Sequence, residues 1–586
     1  MSPSTLSIKL LVTAAICVVP TNAMLADEVD GSRLLPETTV GYFEFTQPGR
    51  LIDTVLDHPL KQHIQAMDVF QKATMSEAYR GFLTGRKFVE LQIGSDWRPA
   101  LEALTAGGIY GGFDSATNGA VLLVRGKDKT TMENFRAKIL EMTRLRGDGS
   151  TPDNYRDISI YKTDNKSGAA VVRDWLIVTN NGELGKGILD RLLDAKPEAE
   201  ATGTLSANKN FQAARSTRAE DSQAWAFGDL QAVRDAGGAK KVFEGKADNP
   251  LAELLLGGIQ STLQHAPYVT AGLNIENSGL QVSVALPWQA DWIPEHRAYF
   301  FGPDNSGSAP ALPVVSETVL TLATYRNISD MWLRAGDLFD EQMNDKLAEA
   351  DSNLSTVFAG RDFGEEILGS FEPQIGIVVT RQSFADAKPV PTIKLPAFAL
   401  VTRLRDPETM RSELRRTFQS AIGFFNIVGA QQGNPQLEMD MQKVGDVDLI
   451  TSRYLPEKND KDSTSAPIIF NFSPSVGFAG DRFVLASTAA LAKQLAEAPA
   501  NNEDTDLNTS LVLNAPVLND ILNDNREQLI SQNMLQDGHS RDEAEAAIDL
   551  LLEIVRCFKG AGLSLDREGD QLALKFHLDI NEQPGK

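Results

Sequence analysis

The chain has 586 residues, well above the roughly 250–300 at which a single hydrophobic core stops growing, so at least two domains are expected. Hydrophobic residues make up 42% and charged residues 23%, a composition that excludes disorder as the dominant state. The formal net charge of −23 and the lack of a long basic run disfavour nucleic acid as a partner, because nucleic acid is bound by clustered lysine and arginine.

The N-terminus has the pattern of a secretory signal peptide. Lys9 supplies a positive charge, residues 10–19 form a short apolar run, and Thr21-Asn22-Ala23 offers small residues before a cleavage point. We therefore predict a signal peptide over residues 1–23 and a periplasmic or extracellular location. The apolar run is shorter than the ~20 residues that a membrane-spanning helix needs, although an uncleaved anchor stays an alternative. No membrane span is expected after cleavage.

Cys557 is the only cysteine that follows this segment, so the exported chain cannot form an internal disulfide. It lies between the apolar Ile554-Val555 and Phe558, which favours a buried, unreactive thiol. Stability is therefore expected to come from apolar cores rather than from covalent links.

An internal repeat is the most informative feature of the sequence. Residues 121–132 align without a gap with residues 399–410, and both segments predict an apolar strand followed by an amphipathic helix. Asp128 and Asp406 are the expected N-caps. Met132 and Phe135 in one copy, and Met410 and Leu414 in the other, are predicted to lie in buried stripes.

Further segments match in the same order. Residues 174–181 align with 481–488, and residues 271–275 align with 561–565, with Gly279 and Gly569 expected in equivalent hairpin turns. The matches predict an α+β fold made of two tandem, diverged copies of one module, each a mainly antiparallel sheet with flanking amphipathic helices. We predict module 1 over residues 34–298, a Gly/Pro/Ser-rich linker over 299–314, and module 2 over 315–580.

The segment Leu34-Leu35-Pro36-Glu37-Thr38-Thr39 and the hairpin around Asp174-Trp175-Leu176-Ile177-Val178 carry a resemblance to a known group. The chain resembles exported bacterial proteins of planctomycete type that begin with an LLPxxT-like segment after the signal peptide. The function of that group is unknown, so the resemblance implies an extracytoplasmic location and no specific activity.

No catalytic, cofactor or metal motif can be recognised. Gly182–Gly187 lacks the spacing of a phosphate-binding loop and is better interpreted as the start of a helix. The histidines are scattered and lack the spacing of a zinc site: His58, His63, His265, His296, His539 and His577. We therefore predict no catalytic, cofactor-binding or metal-binding residues and no cofactor, and a non-enzymatic protein is favoured while enzymatic activity stays open.

One aromatic segment, residues 288–301, has no equivalent after the second module. Trp288, Trp292, Tyr299 and Phe300 are the candidate partner-binding surface, and the alternative is a strap that holds the two modules together.

Three functions are compatible with the sequence. The leading hypothesis is an exported, non-enzymatic protein that binds or assembles with an unidentified protein or envelope component. The second is a carrier that encloses an apolar ligand between sheet and helices, which requires an apolar cavity of ~300 Å³ or more. The third is a hydrolase whose site cannot be recognised from sequence. The oligomeric state is not specified.

Overall fold

The computed structural model describes residues 30–145, 152–162, 167–194, 202–240, 243, 246, 249–358, 360–385, 389–456, 467–499 and 505–583. The predicted signal peptide lies outside the described residues. Within the described residues, helices and antiparallel strands alternate irregularly, so the predicted α+β class is confirmed.

The described part of the first half contains ten strands. They are β1 (Thr39–Phe45), β2 (Gly108–Asp114), β3 (Gly119–Arg125), β4 (Asp153–Tyr155), β5 (Ile158–Lys162), β6 (Gly168–Val172), β7 (Trp175–Thr179), β8 (Ala224–Asp229), β9 (Tyr268–Glu276) and β10 (Gly279–Pro287). Its helices are α1 (Pro48–Leu56), α2 (Leu60–Ala66), α3 (Asp68–Thr74), α4 (Glu77–Ile93), α5 (Trp97–Thr105), α6 (Lys129–Leu145), α7 (Gly182–Asp194), α8 (Lys209–Ser216), α9 (Leu230–Asp235) and α10 (Pro250–His265).

Ten strands are also described in the second half. They are β11 (Thr318–Tyr325), β12 (Gln374–Thr380), β13 (Ala397–Arg403), β14 (Leu437–Val444), β15 (Val447–Tyr454), β16 (Ser475–Ala479), β17 (Arg482–Ala486), β18 (Thr509–Asn514), β19 (Phe558–Glu568) and β20 (Gln571–Ile580). After the short α11 (Ala298–Phe301), its helices are α12 (Ile328–Leu333), α13 (Ala335–Leu338), α14 (Glu341–Val357), α15 (Pro407–Gln431), α16 (Ala489–Glu497), α17 (Ala515–Asp524), α18 (Arg526–Asp537) and α19 (Arg541–Arg556).

The two halves have the same strand order. In the first it is β4-β5-β6-β7-β3-β2-β1-β8-β9-β10, and in the second it is β14-β15-β16-β17-β13-β12-β11-β18-β19-β20. Both carry the same irregularity, a register shift after Thr39 in β1 and after Thr318 in β11. β10 pairs with β20 over nine residues, so the halves join edge to edge into one 20-stranded antiparallel sheet.

Local sequence chemistry explains the repeated elements. The Asp128 carboxylate accepts a hydrogen bond from the Thr131 amide at 2.7 Å, and Asp406 accepts one from the Thr409 amide at 3.2 Å, so both predicted N-caps are confirmed. The turns before β7 and β17 place Arg173 and Gly480 at positive φ, as a two-residue hairpin turn requires.

Two details differ from the sequence alignment. Gly279 is the first residue of β10, pairs with Glu276 and lies after the turn, whereas Gly569 lies within its own turn at positive φ. The β8–β9 and β18–β19 ladders therefore make Leu273 equivalent to Leu565, two residues beyond the predicted partner Leu563. The two segments were aligned two residues out of register because Gly279 and Gly569 were matched to each other, although they occupy different positions relative to their turns.

The helices cover both faces of the sheet. In the first half, α7 and α8 bury one face together with the LLP segment, since Leu34 and Leu35 lie in the same core as Ile188 and Phe211. In the second half, α16 buries the equivalent face. α15 packs on the other face through Met410, Leu414, Phe418 and Ile422, so the predicted buried stripe of this helix is confirmed.

Candidate functional site

The predicted aromatic surface is mostly internal. Trp288, Tyr299 and Phe300 are buried in a core that also contains Phe301, Met331, Phe339, Leu565 and Leu572. Trp292 alone among the four candidates is half-buried. The partner-surface hypothesis is therefore wrong for Trp288, Tyr299 and Phe300, because these side chains fill the space where the two halves meet. Their position fits the alternative of a strap.

Buried polar contacts fix this strap in place. Arg297 forms a bidentate ion pair with Glu253 of α10, in which Nε donates to Oε1 at 2.7 Å and Nη2 donates to Oε2 at 3.0 Å. Both side chains are buried. The Tyr299 hydroxyl donates to the Glu253 backbone carbonyl at 2.8 Å. Burial, and then the Glu253 charge, raise the pKa of Tyr299 well above its usual value. The segment from 297 to 301 is therefore a structural part of the fold, although it overlaps the predicted linker over residues 299–314.

A second buried cation joins the halves at the same place. The Arg326 guanidinium lies 3.4 Å from the centre of the Phe300 ring and donates to the side-chain oxygens of Asn508 at 2.8 Å and Thr509 at 3.1 Å. Burial lowers the pKa of Arg326 to about 9. Because Phe300 belongs to the strap and Asn508 to the second half, these contacts hold the strap against that half.

A pocket of about 360 Å³ adjoins the strap. Trp292 stacks on the His265 ring with centroids 6.1 Å apart, and His296, Asp291 and Asp337 complete the polar wall. Burial, and then the neighbouring Arg297, lower the pKa of His296, which favours the neutral imidazole. The lining residues include no serine, threonine or cysteine.

A larger pocket of about 650 Å³ lies in the second half. Its central cation, Arg381, contacts Asp524 at 2.7 Å, Glu317 at 3.2 Å and Asp520 at 3.4 Å. Polar and charged side chains form most of the lining. Neither of these two pockets is the apolar cavity that an enclosing carrier requires. Within the described residues, no group of three acidic, histidine or cysteine side chains is placed to bind a metal ion.

An apolar surface lies instead on the sheet, on the face opposite α7 and α16. Two rows of directly opposed residues each cross eight strands, seven of one half and the adjoining strand of the other, and contain only apolar residues apart from one glycine in the first row. The first apolar row is Val178, Leu122, Gly111, Phe43, Ala226, Ala271, Val284 and Leu574. The second apolar row is Leu485, Leu400, Ile377, Leu322, Leu511, Leu563, Phe576 and Val282.

The two rows are equivalent member by member. Apart from the buried Gly111, every residue in them is half-buried or exposed, and Phe43, Leu485 and Phe576 are the exposed ones. The opposite face differs, since Val121, Ile177, Val378 and Val484 are buried there under α7 and α16. Together the rows cross 14 strands, from β7 to β17, which spans roughly 60 Å at the usual spacing between strands.

The apolar rows were not predicted from the sequence, although the sequence contains apolar runs that indicate them. A half-exposed antiparallel strand normally alternates apolar and polar residues. β3 instead contains the uninterrupted run Val121-Leu122-Leu123-Val124, and β12 contains Ile377-Val378-Val379. Such runs indicate that both faces of a strand are apolar. Which face the helices leave open depends on tertiary packing, and the runs do not encode it.

Comparisons with known proteins give no family. No family model matches the chain, and no curated protein matches it. Among solved structures, crystal forms I, III and IV of the protein TP0453 align with 44% of this chain and with 79–81% of their own length, at 11–12% identity and TM-scores of 0.22–0.24. TM-scores this low do not establish a shared fold, so the fold described above rests on the helices and strands of this chain alone.

Proposed function

We propose that the protein is an exported, non-enzymatic binding protein of the cell envelope that arose by duplication, and that it binds long apolar chains, such as those of lipids, along the two apolar rows. The observation that carries this proposal is the occurrence of equivalent, half-exposed apolar rows in both halves of the sheet. The shared strand order supports the duplication.

The form of the rows favours an extended apolar ligand. Exposed apolar side chains are individually common on proteins, but an uninterrupted row across eight strands is a continuous apolar surface, which usually marks a binding site. No charged residue interrupts either row. The half-buried state of most members means that neighbouring side chains flank the rows, so a narrow chain would gain contacts on more than one side.

The sequence supports the location. The signal-peptide pattern over residues 1–23 and the resemblance to exported planctomycete-type proteins both favour the envelope. Within the described residues, no helix is both long and apolar enough to span a bilayer. The net charge of −23 disfavours a strongly anionic membrane surface as the partner.

The test is a binding titration with cis-parinaric acid, a fluorescent long-chain fatty acid, using purified protein. Leu485→Ser removes an exposed member of the second apolar row, and Val512→Ser is the matched control. The two side chains are similarly exposed, at 42% and 47%. Val512 lies on the opposite face, because it pairs with Thr321, which pairs with the buried Val378.

We expect wild-type protein to bind the probe, Leu485→Ser to weaken binding severalfold, and Val512→Ser to leave it unchanged. Phe43→Ser should have the same effect at the first apolar row. Absence of binding by the wild-type chain, or equal losses in Leu485→Ser and Val512→Ser, would contradict the proposal.

A further inference from the structure

The two edges of the 20-stranded sheet differ. Its first edge, β4, contains three residues and directly follows Pro152, whereas the second edge, β14, contains eight residues, none of them proline, and Pro435 lies two residues before it. Short strands and prolines protect sheet edges against pairing with other chains. β14 lacks both protections, and seven of its eight residues are exposed.

The backbone of β14 shows which groups are open for pairing. The Asn426 side chain of α15 accepts from the Leu437 amide at 2.7 Å and donates to the Leu437 carbonyl at 2.9 Å. Leu437 therefore points its backbone polar groups away from β15. Because this direction alternates along an antiparallel strand, Met439, Met441 and Lys443 also point theirs outward. No described strand pairs with this side of β14.

The side chains at this edge are unusually apolar for exposed positions. Met441 is 63% exposed and Met439 is 41% exposed. Both lie on the face covered by α15, because Met441 pairs with Ile450, which belongs to the same core as Met410 and Phe418. Near Asn426 on the same helix, Phe424, Phe425 and Ile427 are also exposed.

We infer that β14 pairs with β14 of a second copy of this chain, antiparallel and with Met441 opposite its own counterpart. The molecule already contains one join of this kind, since β10 and β20 are equivalent strands that pair antiparallel across the two halves. A second copy on β14 would continue the sheet by the same geometry.

The charges of β14 select this register. With the two-fold axis at Met441, Met439 lies opposite Lys443 and Asp440 lies opposite Gln442, so no like charges meet. With the axis one residue earlier, Asp440 would lie opposite itself, which is unfavourable. The register at Met441 also places the outward backbone groups of all three residues, 439, 441 and 443, opposite partners that can bond to them.

The first test measures the oligomeric state by analytical ultracentrifugation. We expect purified wild-type protein to form a dimer and Met441→Lys to raise its dissociation constant about tenfold, because two lysines would meet at the axis. The matched control is Met75→Lys, at a residue that is 72% exposed and distant from β14 in sequence, and it should dimerise like the wild type. A monomeric wild type, or a dimer that Met441→Lys leaves unchanged, would overturn the inference.

The second test checks the register. Opposed residues of a hydrogen-bonded antiparallel pair have Cα atoms about 5.5 Å apart, within the range of a disulfide. Met441→Cys should therefore give a disulfide-linked dimer on oxidation, whereas Gln442→Cys, on the other face and opposite Asp440, should not. Cys557 is buried and should not compete. Equal cross-linking of both variants, or none of Met441→Cys, would overturn the register.

Discussion

Ser283 and Lys575 are equivalent residues that lie directly opposite each other. Each is the fifth residue of the last strand of its half, Ser283 in β10 and Lys575 in β20, and the two pair in the ladder that joins the halves. Because two equivalent residues pair with each other, a local two-fold axis passes through this pair. The chain is therefore arranged as a pseudo-symmetric dimer within one polypeptide.

This axis predicts the behaviour of a residue swap. Ser283→Lys alone should destabilise the protein by about 0.2–1 kcal/mol, because the new lysine lies directly opposite Lys575 in the β10–β20 ladder. Adding Lys575→Ser restores one serine and one lysine in exchanged positions, so the double variant should recover most of the loss. Urea unfolding of the three proteins measures this. A double variant less stable than Ser283→Lys would argue against the axis.

The buried ion pair of the strap should respond differently from a surface pair. Arg297→Met leaves the Glu253 carboxylate buried without its cation and should cost about 3–5 kcal/mol, whereas Arg297→Met with Glu253→Met should recover much of that. Arg526→Met breaks the exposed pair with Asp549 and is the control, with an expected cost below about 1 kcal/mol. Equal shifts in the midpoint of denaturant unfolding for Arg297→Met and Arg526→Met would contradict the expectation that breaking the buried pair costs more than breaking the exposed one.

The repeated helices α6 and α15 give a third prediction. Met132 is fully buried while Phe135 is half-buried, so Met132→Ala should cost about 2–5 kcal/mol and Phe135→Ala less, contrary to the sequence-based expectation that Phe135 is a full core residue. Asp128→Ala should cost about 0.5–2 kcal/mol as a lost N-cap. Thermal unfolding of the three variants gives the order, and a larger loss for Phe135→Ala than for Met132→Ala would reverse it.

The fold class and the repeated elements follow from local patterns in the sequence. Asp128 and Asp406 cap their helices because a carboxylate followed by a helical pattern is a short-range signal, and the α15 stripe is visible as a spacing of four residues. The position of Phe135 was missed because periodicity assigns a residue to a face of the helix but does not set how deeply that face is covered.

The join between the halves could not be inferred in this way. β10 and β20 alternate like ordinary hairpin strands, and nothing in their residues distinguishes a free edge from one that pairs with the other half. The aromatic strap was misassigned for the same reason. Trp288 and Phe300 are apolar whether they face a partner or the other half of the same chain, and only the tertiary structure distinguishes these cases.

The last prediction concerns alkaline pH. Burial and the Glu253 charge raise the pKa of Tyr299, so the folded protein keeps the phenolic proton at pH values where the unfolded chain, with a pKa of about 10, has lost it. Above about pH 10 the unfolded state therefore binds fewer protons than the folded state, and the free energy of unfolding falls as pH rises. Below that pH both states hold the proton, so Tyr299 does not make the free energy of unfolding depend on pH.

Tyr299→Phe removes both the titrating group and its hydrogen bond to Glu253. The variant should therefore be less stable than the wild type at pH 8 but should lose less stability between pH 9.5 and 11. Urea unfolding midpoints across this range measure both effects, and parallel pH profiles for the two proteins would show that Tyr299 does not contribute to the alkaline loss.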